Sequence, residues 1–388
     1  MTGKIQIPEK EYHDRVLKAQ QKLSTTDLDF LLVNSNDSDF ANVRYFSGYW
    51  PLFEMAGVII PREGEPILLI GPESGTYAQE RSKIKKIRKM LEYRESADPD
   101  YPGVQVTSFL QLVEEMGIRD IRKIGIAGYL VTTLPIYESL KHHFPNAIIN
   151  NADEIVTGLR SIKSPSEINC LRESNRISEI AVGEVLNQIK PGMTELEVVG
   201  LVQGVIYANG AEYEGMPQFV LSGNKTNNAI SRPTHKMLRK NEMVQLGLSA
   251  RVDGYSSCVS RPVFLGKMSD SMRKKVEFGK QAHEKTMEWL KAGVMASEVA
   301  DAYFEFFVRN GYENNYLYGP CHGLGLIEVE PPWMESTSKY VIQKNMTFQV
   351  DTFFQDTSFG FRWENGVRIL SKGVERFSFK NMDLIEVQ

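Results

Sequence analysis

The first half of the chain alternates short apolar runs with amphipathic stretches. Apolar runs that end in polar turns predict strands, and apolar positions recurring every three or four residues predict helices. The predicted strands are residues 28–33, 56–60, 66–70, 123–127 and 147–150, and the second and third form a hairpin pattern. The predicted helices are residues 7–23, 74–93, 104–116 and 134–143. This alternation is typical of a self-contained α/β domain, which we place at residues 1–158.

The second half, residues 159–388, groups its predicted helices in pairs. Ser164 and Ser166 are candidate N-caps, and Pro165 is tolerated in the first turn of the helix that follows. The predicted helices are residues 165–189, 194–209, 272–292 and 296–311. The predicted strands are residues 218–222, 243–249, 255–264 and 346–354. Two helix pairs, each associated with strands, indicate an internal pseudo-duplication.

Composition narrows the class of protein. The 388 residues carry 42% hydrophobic residues and a net charge of −4, so neither nucleic acid nor an anionic membrane is expected as a partner. Cys170, Cys258 and Cys321 are an odd set without the spacing of a zinc knuckle or a disulfide framework. No apolar run reaches 18 residues, and the N-terminus does not resemble a signal peptide. A cytoplasmic protein is therefore expected.

The candidate chemistry centres on His322, which lies in the small-residue stretch Gly319–Leu326. Glycine beside a histidine lets the backbone approach a ligand closely. Asp351 and Glu364 follow on separate strand-like segments that can converge with His322 in space. We interpret His322 as the general acid or base, with Asp351 and Glu364 orienting it or holding the substrate.

Several motifs, in order, carry a resemblance to a known family. They are Asn42-Val-Arg-Tyr-Phe-Ser-Gly, interpreted as a turn, Leu159 to Ile168, Pro191-Gly-Met-Thr-Glu, Asp253 to Arg261, the His322 stretch, Asn345 to Asp351, and Arg362-Trp-Glu. Together they resemble the creatinase, prolidase and aminopeptidase P family, which has the pita-bread fold. The resemblance implies an α/β N-terminal domain, residues 1–158, and an α+β pita-bread catalytic domain, residues 159–388. It also implies a homodimer in which the N-terminal domain of one subunit contributes to the partner's site.

The metallopeptidases of this family share five metal ligands: two aspartates, a histidine and two glutamates. By resemblance these positions fall on Gly247, Cys258, His322, Asp351 and Glu364. Because both aspartates are replaced, we expect no cofactor. The alternative is a single ion on His322, Asp351 and Glu364, which Cys258 can join as a thiolate.

Creatinase itself works without metal, and its catalytic histidine falls near Ile230 by resemblance. His235 lies five residues further on and is kept as a second candidate base. The arginines with which creatinase binds the substrate carboxylate have no clear match. Creatine is therefore not the expected substrate.

Where creatinase has its substrate-binding arginines, this sequence has carboxylates and aromatic residues. Glu330 joins the catalytic candidates, and the predicted substrate-binding residues are Phe53, Tyr213, Phe219, Glu328, Trp333 and Arg362. Crowded carboxylates favour a cationic ligand, and aromatic faces suit one. We therefore expect a creatinase-like, metal-independent hydrolase that cleaves a C–N bond in a small, cationic nitrogen compound. The alternatives are a metal-dependent Xaa-Pro dipeptidase or aminopeptidase, and a non-catalytic binding protein.

Overall fold

The computed structural model describes residues 5–388. The chain folds into two compact units, residues 7–160 and residues 161–388. Within the described residues, no helix combines the length and the apolar character that crossing a membrane requires.

The N-terminal unit is built on a six-stranded mixed sheet in the order β4-β3-β2-β1-β5-β6. Its strands are β1 Phe30–Ser35, β2 Ala56–Pro61, β3 Ile67–Ile70, β4 Ile87–Lys89, β5 Lys123–Ala127 and β6 Ile148–Asn151. Its helices are α1 Glu9–Ser24, α2 Ala41–Ser47, α3 Gly75–Arg81, α4 Phe109–Glu115, α5 Leu134–His143 and α6 Asp153–Ser161. The predicted hairpin is confirmed, because β2 and β3 pair antiparallel. The expected α/β character of this half is confirmed as well.

Two local predictions in this unit are wrong. Residues 74–93 do not form one helix: α3 ends at Arg81, and the hydroxyl of the next residue, Ser82, donates to Ile84 O and accepts from Ile84 N. The chain then pairs with β3 as strand β4, so a sheet edge decides the conformation of a segment with helical spacing. The motif at residues 42–48, interpreted as a turn, is mostly helix α2, which Gly48 ends with φ 70°.

The C-terminal unit is organised around a nine-stranded sheet whose main path is β11-β10-β12-β13-β9-β8-β7. The strands are β7 Phe219–Ser222, β8 Met243–Val252, β9 Tyr255–Leu265, β10 Cys321–Gly323, β11 Glu330–Met334, β12 Thr347–Gln355, β13 Gly360–Ile369, β14 Val374–Arg376 and β15 Ile385–Val387. The helices are α7 Pro165–Gln188, α8 Glu195–Ala208, α9 Asp270–Trp289 and α10 Ala296–Arg309. All four predicted helices and all four predicted strands of this half are confirmed.

Local sequence explains where the first helix pair begins. Ser164 and Glu167 form a reciprocal capping box at the start of α7, and Thr194 and Glu197 form another at the start of α8. Each such cap stabilises its helix by about 1 kcal/mol. Glu167 also accepts a hydrogen bond from the Tyr255 hydroxyl at 2.7 Å, which ties the beginning of β9 to α7.

Each helix pair covers one half of the sheet. Apolar residues of α7 and α8 form one buried cluster with those of β7, β8 and β9, and Val182, Leu246 and Val259 belong to it. Those of α9 and α10 pack in two further clusters against β10, β12 and β13. This arrangement agrees with the pseudo-duplication inferred from the spacing of the helices.

Candidate active site

The alternation of residues along the strands creates one polar face on the C-terminal sheet. Residues 246, 248, 259, 263, 321, 348, 350, 361, 363 and 367 belong to the apolar clusters under the helices. Because successive side chains in a strand point to opposite faces, the intervening residues point away from those helices. The opposite face therefore carries Gly247, Cys258, Ser260, His322, Gln349, Asp351, Arg362 and Glu364.

Strand register aligns these polar positions across the sheet. Asp351 is paired with Glu364 across β12 and β13, and Glu364 with Ser260 across β13 and β9. Ser260 is paired in turn with Gly247 on β8. His322 is paired with Gln349, two residues before Asp351, so it lies on the same face one step along the strand. Directly paired residues have side chains within contact distance, which explains how distant motifs form one cluster.

His322 is held with one ring nitrogen bonded and the other available. Its Nδ1 lies 3.1 Å from the carbonyl oxygen of Gly323, which can only accept, so Nδ1 carries the proton. Nε2 then presents a lone pair toward Glu328 Oε1 at 3.8 Å and Glu364 Oε1 at 4.0 Å. The Trp333 ring stacks on the imidazole, with 5.5 Å between ring centres. Burial lowers the pKa of His322, which favours the neutral imidazole.

Asp351 is fixed by two neighbours. Its Oδ1 lies 3.0 Å from Nε of Arg362, and its Oδ2 accepts a hydrogen bond from the Tyr318 hydroxyl at 2.8 Å. The guanidinium of Arg362 in turn donates to the same hydroxyl and to the carbonyl of Ala229. Burial raises the pKa of Asp351 to about 7, although the charge of Arg362 acts in the opposite direction.

Glu364 and Glu328 differ in what surrounds them. Burial raises the pKa of Glu364, but Arg362, His322 and a 2.6 Å hydrogen bond from the Ser260 hydroxyl outweigh it, so the net shift is downward. Burial and the charge of Glu364 raise the pKa of Glu328 well above its usual value. Glu328 Oε1 is buried without a hydrogen-bond partner among residues 5–388.

The charges of the cluster do not balance. Four carboxylates are buried there, those of Glu328, Glu330, Asp351 and Glu364. Two cationic side chains neutralise part of this charge, Arg362 at Asp351 and Lys163 at 3.0 Å from Glu330. With His322 neutral and all four carboxyls ionised, these six described residues carry a net charge of −2, and the raised pKa values of Asp351 and Glu328 show that protons relieve part of this charge when no cation is bound. Buried carboxylates of this kind require protons or a cation, and one divalent cation has the matching charge.

The donor atoms are arranged for metal binding. Ligand atoms of His322, Asp351 and Glu364 lie within 4.8 Å of one another, and so do those of Cys258, Glu328 and Glu364. The bonded Nδ1 of His322 is the arrangement that fixes the tautomer of a metal-binding histidine. Gly247 offers no ligand, and a Cβ added there would lie 3.1 Å from both Phe219 Cβ and Ser260 Oγ. The residues present therefore fit a metal ion without a contribution from position 247.

Comparison with known proteins agrees with this geometry. Residues 169–371, just over half of the chain, match the metallopeptidase family M24. The chain belongs to this family. Residues 15–162 match the creatinase/prolidase N-terminal domain.

Similar proteins extend the match over nearly the whole chain. An Xaa-Pro dipeptidase of Pyrococcus furiosus is 25% identical over 362 residues, covering 92% of this chain and 97% of that protein. The solved structures of an X-Pro aminopeptidase from Thermotoga maritima and a prolidase from Pyrococcus horikoshii each superpose with a TM-score of 0.83 at 22% identity. Both matches cover 96% of this chain, and they cover 99% and 100% of the respective structures. The predicted pita-bread fold and the family resemblance are confirmed.

The creatinase-like, metal-independent interpretation is wrong. The matched family is one of metallopeptidases, and the similar curated proteins include three Xaa-Pro dipeptidases. The replacement of two expected aspartates does not remove every donor atom from the cluster, because ligand atoms of Cys258 and Glu328 lie within 4.8 Å of one of Glu364. These relatives support the peptidase alternative.

The structure places the predicted site residues in two groups. His322, Asp351, Glu364, Glu328, Glu330, Trp333 and Arg362 belong to the cluster, and Phe219 lies under the Arg362 guanidinium at 5.9 Å. His235 is an exposed residue on a segment whose neighbours Thr234 and Lys236 bind Glu195 and Glu242, and no hydrogen bond to the cluster is found for it among residues 5–388. Tyr213 is half-exposed beside Arg251, and Phe53, in the N-terminal unit, is 80% exposed.

Three residues that contact the cluster are absent from the predicted site residues. Ser260 binds Glu364, Tyr318 bridges Asp351 and Arg362, and Lys163 neutralises Glu330. Ser260 could have been found, because it lies two residues after Cys258 on the same strand and therefore on the same face. Lys163 lies within the family motif Leu159 to Ile168 and Tyr318 directly precedes the Gly319–Leu326 stretch, but nothing in the local sequence says which carboxylate either would contact.

Proposed function

We propose that this chain is a metal-dependent peptidase that hydrolyses Xaa-Pro dipeptides. The observation that carries the proposal is the buried, carboxylate-rich cluster into which His322 directs an unbonded Nε2. The names of the related proteins support the substrate class. Hydrolysis of a peptide C–N bond also agrees with the hydrolase class expected from the sequence.

His322, Asp351 and Glu364 are the residues that would hold the ion. When bound, such an ion polarises a carbonyl and lowers the pKa of a coordinated water to near 7. Ser260 orients Glu364, and Arg362 with Tyr318 orients Asp351. Hydrogen-bonded neighbours of this kind fix ligand geometry before the ion arrives.

Aromatic residues define the substrate side of the site. Trp333 covers the His322 ring and is 39% exposed, so part of the indole remains available to contact a proline ring. Phe353 and Phe219 flank the Arg362 guanidinium at 5.3 and 5.9 Å. They exclude water from the Arg362–Asp351 pair, which strengthens that interaction.

The decisive experiment compares metal-stripped and metal-restored protein. Xaa-Pro dipeptides are incubated with chelator-treated protein before and after addition of Mn²⁺, Co²⁺ or Zn²⁺, with the matching Xaa-Ala dipeptides as controls. We expect hydrolysis of the Xaa-Pro series only after metal is restored. Binding of Xaa-Pro peptides without cleavage under every metal would identify a non-catalytic member of the fold instead.

The assembly and location of the protein stay predictions. We expect a homodimer in which the N-terminal domain of each subunit contributes to the active site of its partner. We also expect a cytoplasmic location. Light scattering of the purified chain tests the first, and fractionation of the source cells tests the second.

A further inference from the structure

We propose that Cys258, Glu328 and Glu364 form a second cation position, at which Cys258 supplies a thiolate ligand to an ion of the zinc class. The inference rests on the proposed metal-dependent function and specifies the metal chemistry of this chain. It concerns residues that differ from the aspartates expected by family resemblance, so the chain would hold its second ion in its own way.

The first argument is the position of Glu364 between two sets of donors. Its Oε1 faces Nε2 of His322 at 4.0 Å, whereas its Oε2 accepts the hydrogen bond from Ser260. The Ser260 hydroxyl lies 3.6 Å from the sulfur of Cys258, so Oε2 is on the cysteine side. One carboxylate thus presents an oxygen to each set, as a bridging ligand between two cations does.

The second argument is the carboxylate of Glu328, one oxygen of which is buried without a hydrogen-bond donor within residues 5–388. Its Oε1 is buried without a hydrogen-bond partner among the described residues, and the side chain is only 4% exposed. A buried carboxylate oxygen left without a donor is strongly unfavourable unless a cation or a proton is present. Ligand atoms of Glu328, Cys258 and Glu364 all lie within 4.8 Å of one another. The unpaired Oε1 also lies 3.8 Å from Nε2 of His322, so Glu328 borders both sets of donors and has an oxygen to offer to an ion beside Cys258.

The third argument is the chemistry of the ligands. Sulfur favours zinc and similar ions, whereas an all-oxygen site suits magnesium or manganese. The Cys258 thiol would release its proton to solvent as the sulfur–metal bond forms, since only the thiolate is a ligand. Zn²⁺ and Co²⁺ should consequently occupy this position in preference to Mn²⁺.

Cobalt substitution tests the proposal without an activity assay. Metal-stripped full-length protein is titrated with Co²⁺ while the near-ultraviolet absorption is recorded, because thiolate ligation to Co²⁺ produces a charge-transfer band there. We expect the band in the wild type, its loss in Cys258→Ala, and its retention in Cys321→Ala. Cys321 is the matched control: it is buried next to His322 but packs with the apolar cluster under α9 and α10.

Glu328→Gln supplies an independent variant, because it keeps the shape of the side chain and leaves the thiol in place. We expect the Co²⁺ equivalent that gives the band to bind at least about tenfold more weakly in this variant. Absence of the band in the wild type, or its survival in Cys258→Ala, would overturn the proposal.

The same titration separates this inference from the proposed function. A thiolate band in protein that cleaves no Xaa-Pro dipeptide would leave the second cation position intact and overturn the peptidase proposal. Metal-dependent cleavage of Xaa-Pro dipeptides without the band would support the peptidase proposal and overturn the second cation position.

Discussion

A histidine is buried on each face of the C-terminal sheet, and the two residues differ in the polar groups that surround their imidazole rings. On the helix-covered face, His283 of α9 lies 2.9 Å from the Oδ1 of Asn365, whose amide nitrogen donates to Ser378. On the polar face, Nε2 of His322 meets two carboxylates at 3.8 and 4.0 Å. Burial lowers the pKa of both.

This comparison shows that burial and a shifted pKa do not by themselves mark an active site. His283 donates its ring proton to an amide oxygen and contributes to a packed core. Its Nδ1 is buried without a hydrogen-bond partner among residues 5–388, so both histidines keep one unbonded ring nitrogen, but that of His322 faces the carboxylates of Glu328 and Glu364. The buried carboxylates beside the unbonded nitrogen, rather than the unbonded nitrogen alone, distinguish the candidate site from the packed core.

The largest expected effect is on catalysis. His322→Ala removes the only histidine of the described cluster and should lower kcat/KM for an Xaa-Pro dipeptide by roughly 10²–10⁴-fold at saturating metal. His235→Ala is the matched control, because His235 is exposed, and it should retain wild-type activity. Equal activity of both variants and the wild type would show that His322 takes no part in metal binding or catalysis.

The next effect concerns stability on the polar face. Arg362→Met should destabilise the metal-free protein by about 3–5 kcal/mol, since it leaves Asp351 buried without its ion-pair partner. The double variant Arg362→Met, Asp351→Asn should recover part of that loss. Denaturant unfolding of the two variants and the wild type measures both quantities, and an additive double variant would contradict the coupling.

A smaller effect of opposite sign is expected at Glu328. Its pKa is raised in the folded protein, so its contribution to stability is present at pH 4 and is lost as the pH rises toward the folded pKa. Glu328→Gln should therefore stabilise the metal-free protein by about 1–3 kcal/mol at pH 8. The gain should shrink near pH 4 and reverse when Zn²⁺ is present. Thermal melting at the two pH values, with and without Zn²⁺, checks all three expectations.

On the helix-covered face, His283 should produce a pH effect and no catalytic effect. Its pKa is lowered to about 3, mainly by burial. Below about pH 6.5 His283 is therefore protonated in the unfolded chain and remains neutral in the folded protein. The contribution of His283 to the free energy of unfolding should thus be fully present above pH 6.5, and the free energy of unfolding should be about 2 kcal/mol lower at pH 5. His283→Gln should lose this component of the slope. A variant that keeps the wild-type pH dependence would show that other groups govern it.

Much of the site follows from patterns visible in the sequence. The alternation in β9, β12 and β13 already separates Cys258, Asp351 and Glu364 from the apolar residues beside them, and the capping sequences at Ser164 and Thr194 define where two helices start. These features depend on neighbours within a few residues, so sequence alone determines them.

Only the tertiary structure decided the rest. Residues 87–89 became a strand because the edge of β3 was available for pairing, and Lys163 became a site residue because its chain segment lies beside Glu330. Likewise, register across four strands placed Asp351, Glu364, Ser260 and Gly247 in one row. The sequence names the residues that can do chemistry, but contacts between segments far apart in the chain decide which donor atoms share one buried volume. Burial, charge balance and metal affinity depend on that shared volume, and for this reason the two replaced aspartates did not by themselves determine the function.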